Sequence, residues 1–311
     1  MRSVLLCPGQ GAQFVGMGQD VADQFPGARA VFQAVDEALG FSLSQVMWQG
    51  PETELTLTHN AQPAILAHTL AVHEVVRPAL DPLLAAGHSL GEYSAYSTAG
   101  SLELADAARL VRRRGELMLA AGQQREGTMT AVLGLNATEV EAVCRESSTG
   151  DSVVVAANIN APDQTVLSGD PDAVERAGAR CKEAGAKRVL PLKVSGAFHS
   201  PLMEPAAVGL QTVLDSVELA DPAFPIVANA TAQPVSDAAT ARAQLGAQLT
   251  SPVKWVASMQ YAAQTAGEPA RFLEIGPGKV LSGLLKRIVP GAEPQSLGSA
   301  QDITRFLEAL G

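Results

Sequence analysis

The sequence predicts an α/β fold: a parallel sheet covered by helices, interrupted near its middle by a ferredoxin-like unit. Three observations carry this. Short apolar strands alternate with helical patterns at both ends of the chain. Between residues 128 and 195 the rhythm changes to β-α-β-β-α-β, the ferredoxin-like order. The composition is globular, with 47% hydrophobic and 17% charged residues, 28 Gly and 19 Pro.

In chain order, "SVLLC" (3–7) is a short buried strand that runs into a glycine-rich turn and helical patterns through Leu39. "QPAILAHTLAVHEVV" (62–76) carries apolar residues at helical spacing, and Pro78 and Pro82 end it. "LLAAG" (83–87) leads through a sharp turn at Ser89 into another helix. The span 102–121 is a long amphipathic helix. Then come a strand at 129–135, a helix from Thr138, and two strands, "SVVVAANIN" and "QTVLSGD", joined by a turn at Ala161–Pro162–Asp163. A helix from Pro171 and the strand "KRVLPLKV" close the unit. Alternation resumes with strands "FPIVANA" and "RFLEIG", and the Ala-rich span 238–248 reads as helix. The expected division is therefore a main domain of residues 1–127 and 196–311 and a small subdomain of 128–195.

Charge and cysteine content narrow the function classes. Lys and Arg number 22 against 32 Asp and Glu, a net charge of −10. Such a surface repels nucleic acid and anionic membranes, so neither is an expected partner. No apolar run reaches bilayer-spanning length, and the apolar stretch at the N-terminus stops at Pro8, too soon for a signal peptide. Cys7, Cys144 and Cys181 are odd in number and lack CxxC spacing, which argues against a disulfide framework or a Cys-based metal site and for the cytoplasm. The local basic clusters, 112–114, 186–188 and Lys279, Lys286 and Arg287, read first as solvated faces.

The chemistry concentrates in "GHSLGEYSA" (87–95). Ser89 lies between Gly87 and Gly91 at a strand-to-helix junction, the pattern of a nucleophile elbow, and no other serine in the chain is so flanked. The free N–H groups at the start of the following helix suit a developing oxyanion. A serine needs a base. Of the five histidines, His88 is adjacent in an extended segment and should point away from Ser89. His68 lies in an apolar helix and reads as a core or boundary residue, while His59 and His73 read as surface. His199, in the loop "SGAFHSPLM", is the best base. No histidine follows it and no HGG oxyanion loop occurs, which argues against a lipase or esterase. The turn "PGQGAQ" (8–13), with Gln10 at its apex, is either a replacement oxyanion loop at the sheet's C-terminal edge or a plain tight turn. It is not the GxGxxG of a dinucleotide site.

Together "PGQGAQ", "QPA" (62–64), "GHSLGEYSA", "RLVRRRGELM" (109–118), "GAFHSPLM" (196–203), "SPVKW" (251–255) and "EIGPGKVLSGLLKR" (274–287) resemble the malonyl-CoA:acyl carrier protein transacylase family, in order from Leu5 to about Leu297. The resemblance implies an α/β-hydrolase-like core with an inserted ferredoxin-like subdomain. It implies ping-pong transfer of malonyl from malonyl-CoA through Ser89, with His199 as base, to the phosphopantetheine thiol of acyl carrier protein. It further implies that the backbone carbonyl of Gln248 orients His199 and that the N–H groups of Gln10 and Leu90 form the oxyanion hole. Arg114 matches the arginine that pairs with the malonyl carboxylate, Arg112 and Arg113 being solvent-facing. Phe198 would narrow the space beside the malonyl α-carbon, and Gln62 and Gly276–Lys279 would support the site. No cofactor or metal is called for, and a monomer is expected. Carrier docking would use local basic residues among Lys187, Arg188, Lys279, Lys286 and Arg287. The competing readings are a freestanding acyltransferase serving a polyketide synthase, a serine thioesterase or hydrolase, and a non-catalytic carrier-binding module.

Overall fold

The computed structural model describes residues 2–267 and 271–310. Among the described residues, ten strands form two sheets: β1 (Arg2–Cys7), β2 (Asp81–Gly87), β3 (Thr128–Leu133), β4 (Val154–Ala161), β5 (Gln164–Gly169), β6 (Arg188–Pro191), β7 (Ile226–Val227), β8 (Pro234–Val235), β9 (Arg271–Ile275) and β10 (Gln295–Leu297). The six-stranded sheet has the order β10-β9-β1-β2-β7-β8 and is parallel except for β7–β8. Its centre is buried on both faces, as the unbroken apolar run of β1 requires. Leu5 and Cys7 face one core and Val4 and Leu6 the other. Cys7 pairs with Gly87, so β1 and β2 end side by side, and the turns after them share one edge of the sheet. That edge holds the site.

The helix Thr58–Val76 crosses behind this edge with nearly every residue buried. It starts four residues before the span read from sequence, because Thr58, His59 and Asn60 are polar and break the apolar pattern. The other long helix, Leu104–Gln124, packs its apolar stripe of Ala107, Ala108, Leu110, Val111, Met118 and Ala121 inward. Arg114 lies on that buried stripe.

The second sheet, β4-β5-β3-β6, is antiparallel. Alternation along its strands serves two cores. Val132 and Leu167 join Val140, Cys144, Val174 and Cys181 under the helices Ala137–Ser147 and Pro171–Glu183, whereas Ala131 and Val166 face the main core. Ile159 and Ala157 exchange backbone hydrogen bonds of 2.9 and 2.8 Å with Val253, which ties β4 to "SPVKW". Two expectations change. "KRVLPLKV" is strand only to Pro191, and "FPIVANA" contributes the two residues Ile226–Val227 before the chain turns back into β8.

Candidate active site

Gly87 and Gly91 make the elbow possible by their lack of side chains. A Cβ on Gly91 would lie 2.0 Å from the Cys7 carbonyl oxygen, and one on Gly87 would lie 1.9 Å from the backbone of Gly91. The close approach puts Ser89 in the left-handed region at φ 51°, and the helix Leu90–Thr98 begins at the next residue. A non-glycine residue held there stores on the order of 1–3 kcal/mol. Asn229 restrains the turn: its Oδ1 accepts from Ser89 N–H at 2.7 Å and its Nδ2 donates to the Gly87 carbonyl at 2.6 Å.

His199, buried and also at positive φ (57°), meets the serine. Ser89 Oγ lies 2.7 Å from His199 Nε2. His199 Nδ1 lies 3.1 Å from the carbonyl oxygens of both Gln248 and Ser251. Those acceptors require the proton on Nδ1, which leaves Nε2 free to accept from the serine. Burial, followed by the nearby Arg114 charge, pushes the His199 pKa down to about 3 and holds the imidazole neutral. His88 turns away: its Nε2 donates to Asn160 Oδ1 at 2.8 Å and its ring lies against Trp255. His68 is fully buried and donates to the Gly298 carbonyl, while His59 and His73, expected at the surface, are half-buried on the helix Thr58–Val76.

Arg114 is 1% exposed. Its Nη2 donates to Ser89 Oγ at 3.0 Å and to Gln248 Oε1 at 2.8 Å, and its Nη1 donates to Gln62 Oε1 at 2.8 Å. Its guanidinium also lies over the Tyr93 ring. Nε has no partner, and Arg114 forms no ion pair among the described residues. A buried guanidinium held by neutral groups is incompletely compensated, which suits an incoming carboxylate. Arg113 is exposed beside Glu116. Arg112 departs from the expectation of a solvent-facing residue. It is partly buried over Phe41 and donates to the His59 carbonyl, Asn60 Oδ1 and Glu116.

The Ser89–His199 pair opens into a cavity of about 640 Å³, lined among others by Gln10, Met118, Asn160 and Phe198. Phe198 is nearly buried in its wall. Gln10 sits at the mouth, its side chain donating to Thr58 Oγ1 at 3.3 Å, and Thr58 in turn meets Ser195 Oγ at 3.2 Å. No acceptor among the described residues takes the N–H of Gln10 or Leu90, whereas Asn229 takes that of Ser89 and the His88 carbonyl that of Gly91. Gly276 packs against Pro8 and Thr69 and so supports the first turn. Among the described residues, no group of three or more His, Cys, Asp or Glu side chains is placed to hold a metal, and no helix is long and apolar enough to cross a membrane.

The site also contains groups that the sequence reading did not single out. Gln248 meets its neighbours through its side chain as well as its carbonyl: Nε2 donates to the Ser89 carbonyl at 3.0 Å and to Glu92 Oε2 at 2.6 Å. Glu92 is fully buried, and burial pushes its pKa up to about 7. Its isolation had a visible signal, because it is the sole charged residue of the helix Leu90–Thr98. Ser251 and Asn229 act through a backbone carbonyl and a distant loop, for which no local sequence pattern exists.

The chain matches the acyl transferase domain family over residues 4–304. It is 44% identical over 284 residues to malonyl CoA-acyl carrier protein transacylase of Bacillus subtilis, covering 91% of this chain and 89% of that protein. The corresponding Escherichia coli K12 protein is 41% identical over 303 residues, 97% of each chain. Among solved structures it is similar to an acyl carrier protein S-malonyltransferase from Vibrio cholerae, at a TM-score of 0.94 and 39% identity, covering 98% and 99% of the two chains. A malonyl-transacylase solved with a type II PKS acyl-carrier protein matches at the same TM-score of 0.94 and 39% identity, over 99% of each chain.

Proposed function

The chain belongs to the acyl transferase domain family, and from that premise we propose that Ser89, His199 and Arg114 carry out its malonyl transfer. The chain is an acyl-carrier-protein S-malonyltransferase, moving malonyl from malonyl-CoA to the carrier's phosphopantetheine thiol. The observation that carries the residue assignment is the Ser89 Oγ atom, held 2.7 Å from a neutral imidazole nitrogen and 3.0 Å from a buried guanidinium.

In the first half-reaction Ser89 Oγ attacks the thioester carbon and its proton passes to His199 Nε2. The carbonyl oxygen becomes an oxyanion facing the Gln10 and Leu90 N–H groups. Collapse breaks the carbon–sulfur bond, and the departing CoA sulfur takes the proton from His199. In the second half the carrier's thiol gives its proton to His199 and attacks the malonyl-serine. Ser89 leaves as the alkoxide and takes that proton back. Arg114 pairs with the malonyl carboxylate through two N–H groups. That pairing also offsets the charge that helps hold His199 down, so the base strengthens when the correct acyl group is bound. Phe198 flanks the acyl chain in the cavity wall.

The substrates supply the reacting groups, and we assign no cofactor. We place the product in fatty acid synthesis and the protein in the cytoplasm as a monomer, which its three buried free cysteines suit. A polyketide carrier is the second reading, favoured by the similar transacylase solved with a type II PKS acyl-carrier protein. Residues 128–195 form the small subdomain of this reading, and Lys187, Arg188, Lys279 and Lys286 its carrier-docking cations. Arg287 is less available, being paired with Asp163 and Gln164. Mass spectrometry after mixing with malonyl-CoA tests the assignment. A mass gain of one malonyl group on Ser89 is expected, lost in Ser89→Ala and slowed roughly 10²–10⁴-fold in His199→Ala. Near-normal labelling in either variant removes the mechanism.

A further inference from the structure

Gln248 has one amide and three partners. Its Oε1 must face Arg114, a donor, while its Nε2 faces two acceptors, Glu92 Oε2 and the Ser89 carbonyl. Turning the amide over would set its NH₂ against the guanidinium and its oxygen against two oxygens. The acceptor at position 92, with the shortest of the three contacts, shares in fixing the sense of this amide with the Ser89 carbonyl and Arg114. Glu92 is itself held by Asn229, whose backbone N–H donates to Oε2 at 3.2 Å and whose side chain grips the elbow on both sides of His88. The carboxyl is 0% exposed, and among the described residues it touches no cation directly and its Oε1 has no partner. A buried acid with one well-used oxygen and one idle oxygen is costly, and its one use here is to orient amides. The mechanism above gives it no step.

From this arrangement we infer that Glu92 is a positioning residue for malonyl selectivity. By fixing the amide of Gln248 it aims the Arg114 guanidinium at the acyl site beside Ser89. The inference rests on Arg114 being the carboxylate partner. Glu92 acts here as an acceptor, so the neutral amide of glutamine, with its oxygen in the place of Oε2, can replace it. Methionine has similar volume and cannot.

The test compares single-turnover acylation of Ser89 by malonyl-CoA and acetyl-CoA in variants of Glu92 and its neighbours. Glu92→Met should lower the malonyl-to-acetyl ratio about tenfold, the scale of losing one hydrogen bond to a charged group. Glu92→Gln should hold the ratio within about threefold of the parent. A purely structural role would slow both donors alike and leave the ratio unmoved. Should Glu92→Met not fold, Gln248→Met reads the same link, and an unchanged ratio there overturns the inference. An unchanged ratio in a folded Glu92→Met, or a glutamine variant no better than methionine, also overturns it. Arg114→Ala, measured alongside, separates the two ideas. If its ratio does not fall, the reading of Arg114 fails. If it falls while that of Glu92→Met does not, this inference alone fails.

Discussion

Among single residues, Arg114 touches both Ser89 Oγ and Gln248 Oε1 through one guanidinium nitrogen, so the proposed carboxylate partner also contacts the proposed nucleophile. Losing one partner of a buried ion pair costs about 3–5 kcal/mol, or two to four powers of ten in rate. Arg114→Ala is expected to lose malonyl acylation on that scale. Acetyl acylation should fall too, but less, since Ser89 loses one donor while His199 stays in place. Arg114→Lys should restore part of the malonyl rate, a point charge being unable to reproduce the fork. Initial rates with both donors check this, and equal losses with the two would reject a carboxylate role. The carbonyl role alone predicts a mild Gln248→Ala. The side-chain contacts to Arg114, Glu92 and the Ser89 carbonyl reverse that expectation, and Gln248→Ala should approach Arg114→Ala in its loss of malonyl preference.

At the scale of elements, the elbow depends on β1, β2 and the helix Leu90–Thr98 meeting backbone to backbone. Gly91→Ala would drive a Cβ to 2.0 Å from the Cys7 carbonyl, and no flexible side chain is there to yield. It should destabilise by roughly 3 kcal/mol or more, at the upper end of overpacking effects. Gly150→Ala, with nothing within 4 Å of its added Cβ, should stay within about 0.5 kcal/mol of the parent. Denaturant melts of the two variants measure the contrast, and comparable stability would show that the elbow tolerates a shift. Element boundaries were legible where periodicity is long, as in Leu104–Gln124. They were not in β7 and β8, because two-residue strands have no period to read and exist by pairing with each other.

At the scale of the whole molecule, burial of titratable groups ties stability to pH. His199 and His68 are buried and drop from 6.5 to about 3 and about 4. Below pH 6.5 the unfolded chain takes up protons that the folded chain refuses, so stability present above pH 6.5 is lost as pH falls toward those values. By pH 5 each contributes a loss on the order of 2 kcal/mol. Glu92 works oppositely, since its rise from 4.5 to about 7 costs stability as pH increases through that window. It offsets roughly one histidine between pH 7 and pH 5. His73, lowered to about 4, and His88, lowered by burial, act in the same sense, so the expected result is a net loss of stability between pH 7 and pH 5 that shrinks by about 2 kcal/mol in His199→Ala. Denaturant melts at the two pH values give the difference, and an unchanged difference in the variant would remove His199 as a source.

The α/β class, the two-sheet organisation and the pairing of Ser89 with His199, 2.7 Å apart in the structure, were all legible in the chain. Alternating apolar strands and a glycine-bracketed serine are local patterns with local physical causes. The same reading left "PGQGAQ" open between an oxyanion loop and a plain turn, and read Arg112 as solvent-facing. Tertiary structure decided what lies opposite what. It set Gln10 at the cavity, placed Ser251 beside Gln248 behind the imidazole, and put Asn229 astride the elbow. It also buried Glu92 and Arg114 around one glutamine amide. Those contacts join residues 52 to 156 positions apart, and their partners are chosen by packing geometry and the need to satisfy buried polar groups, neither of which leaves a periodic trace in the chain.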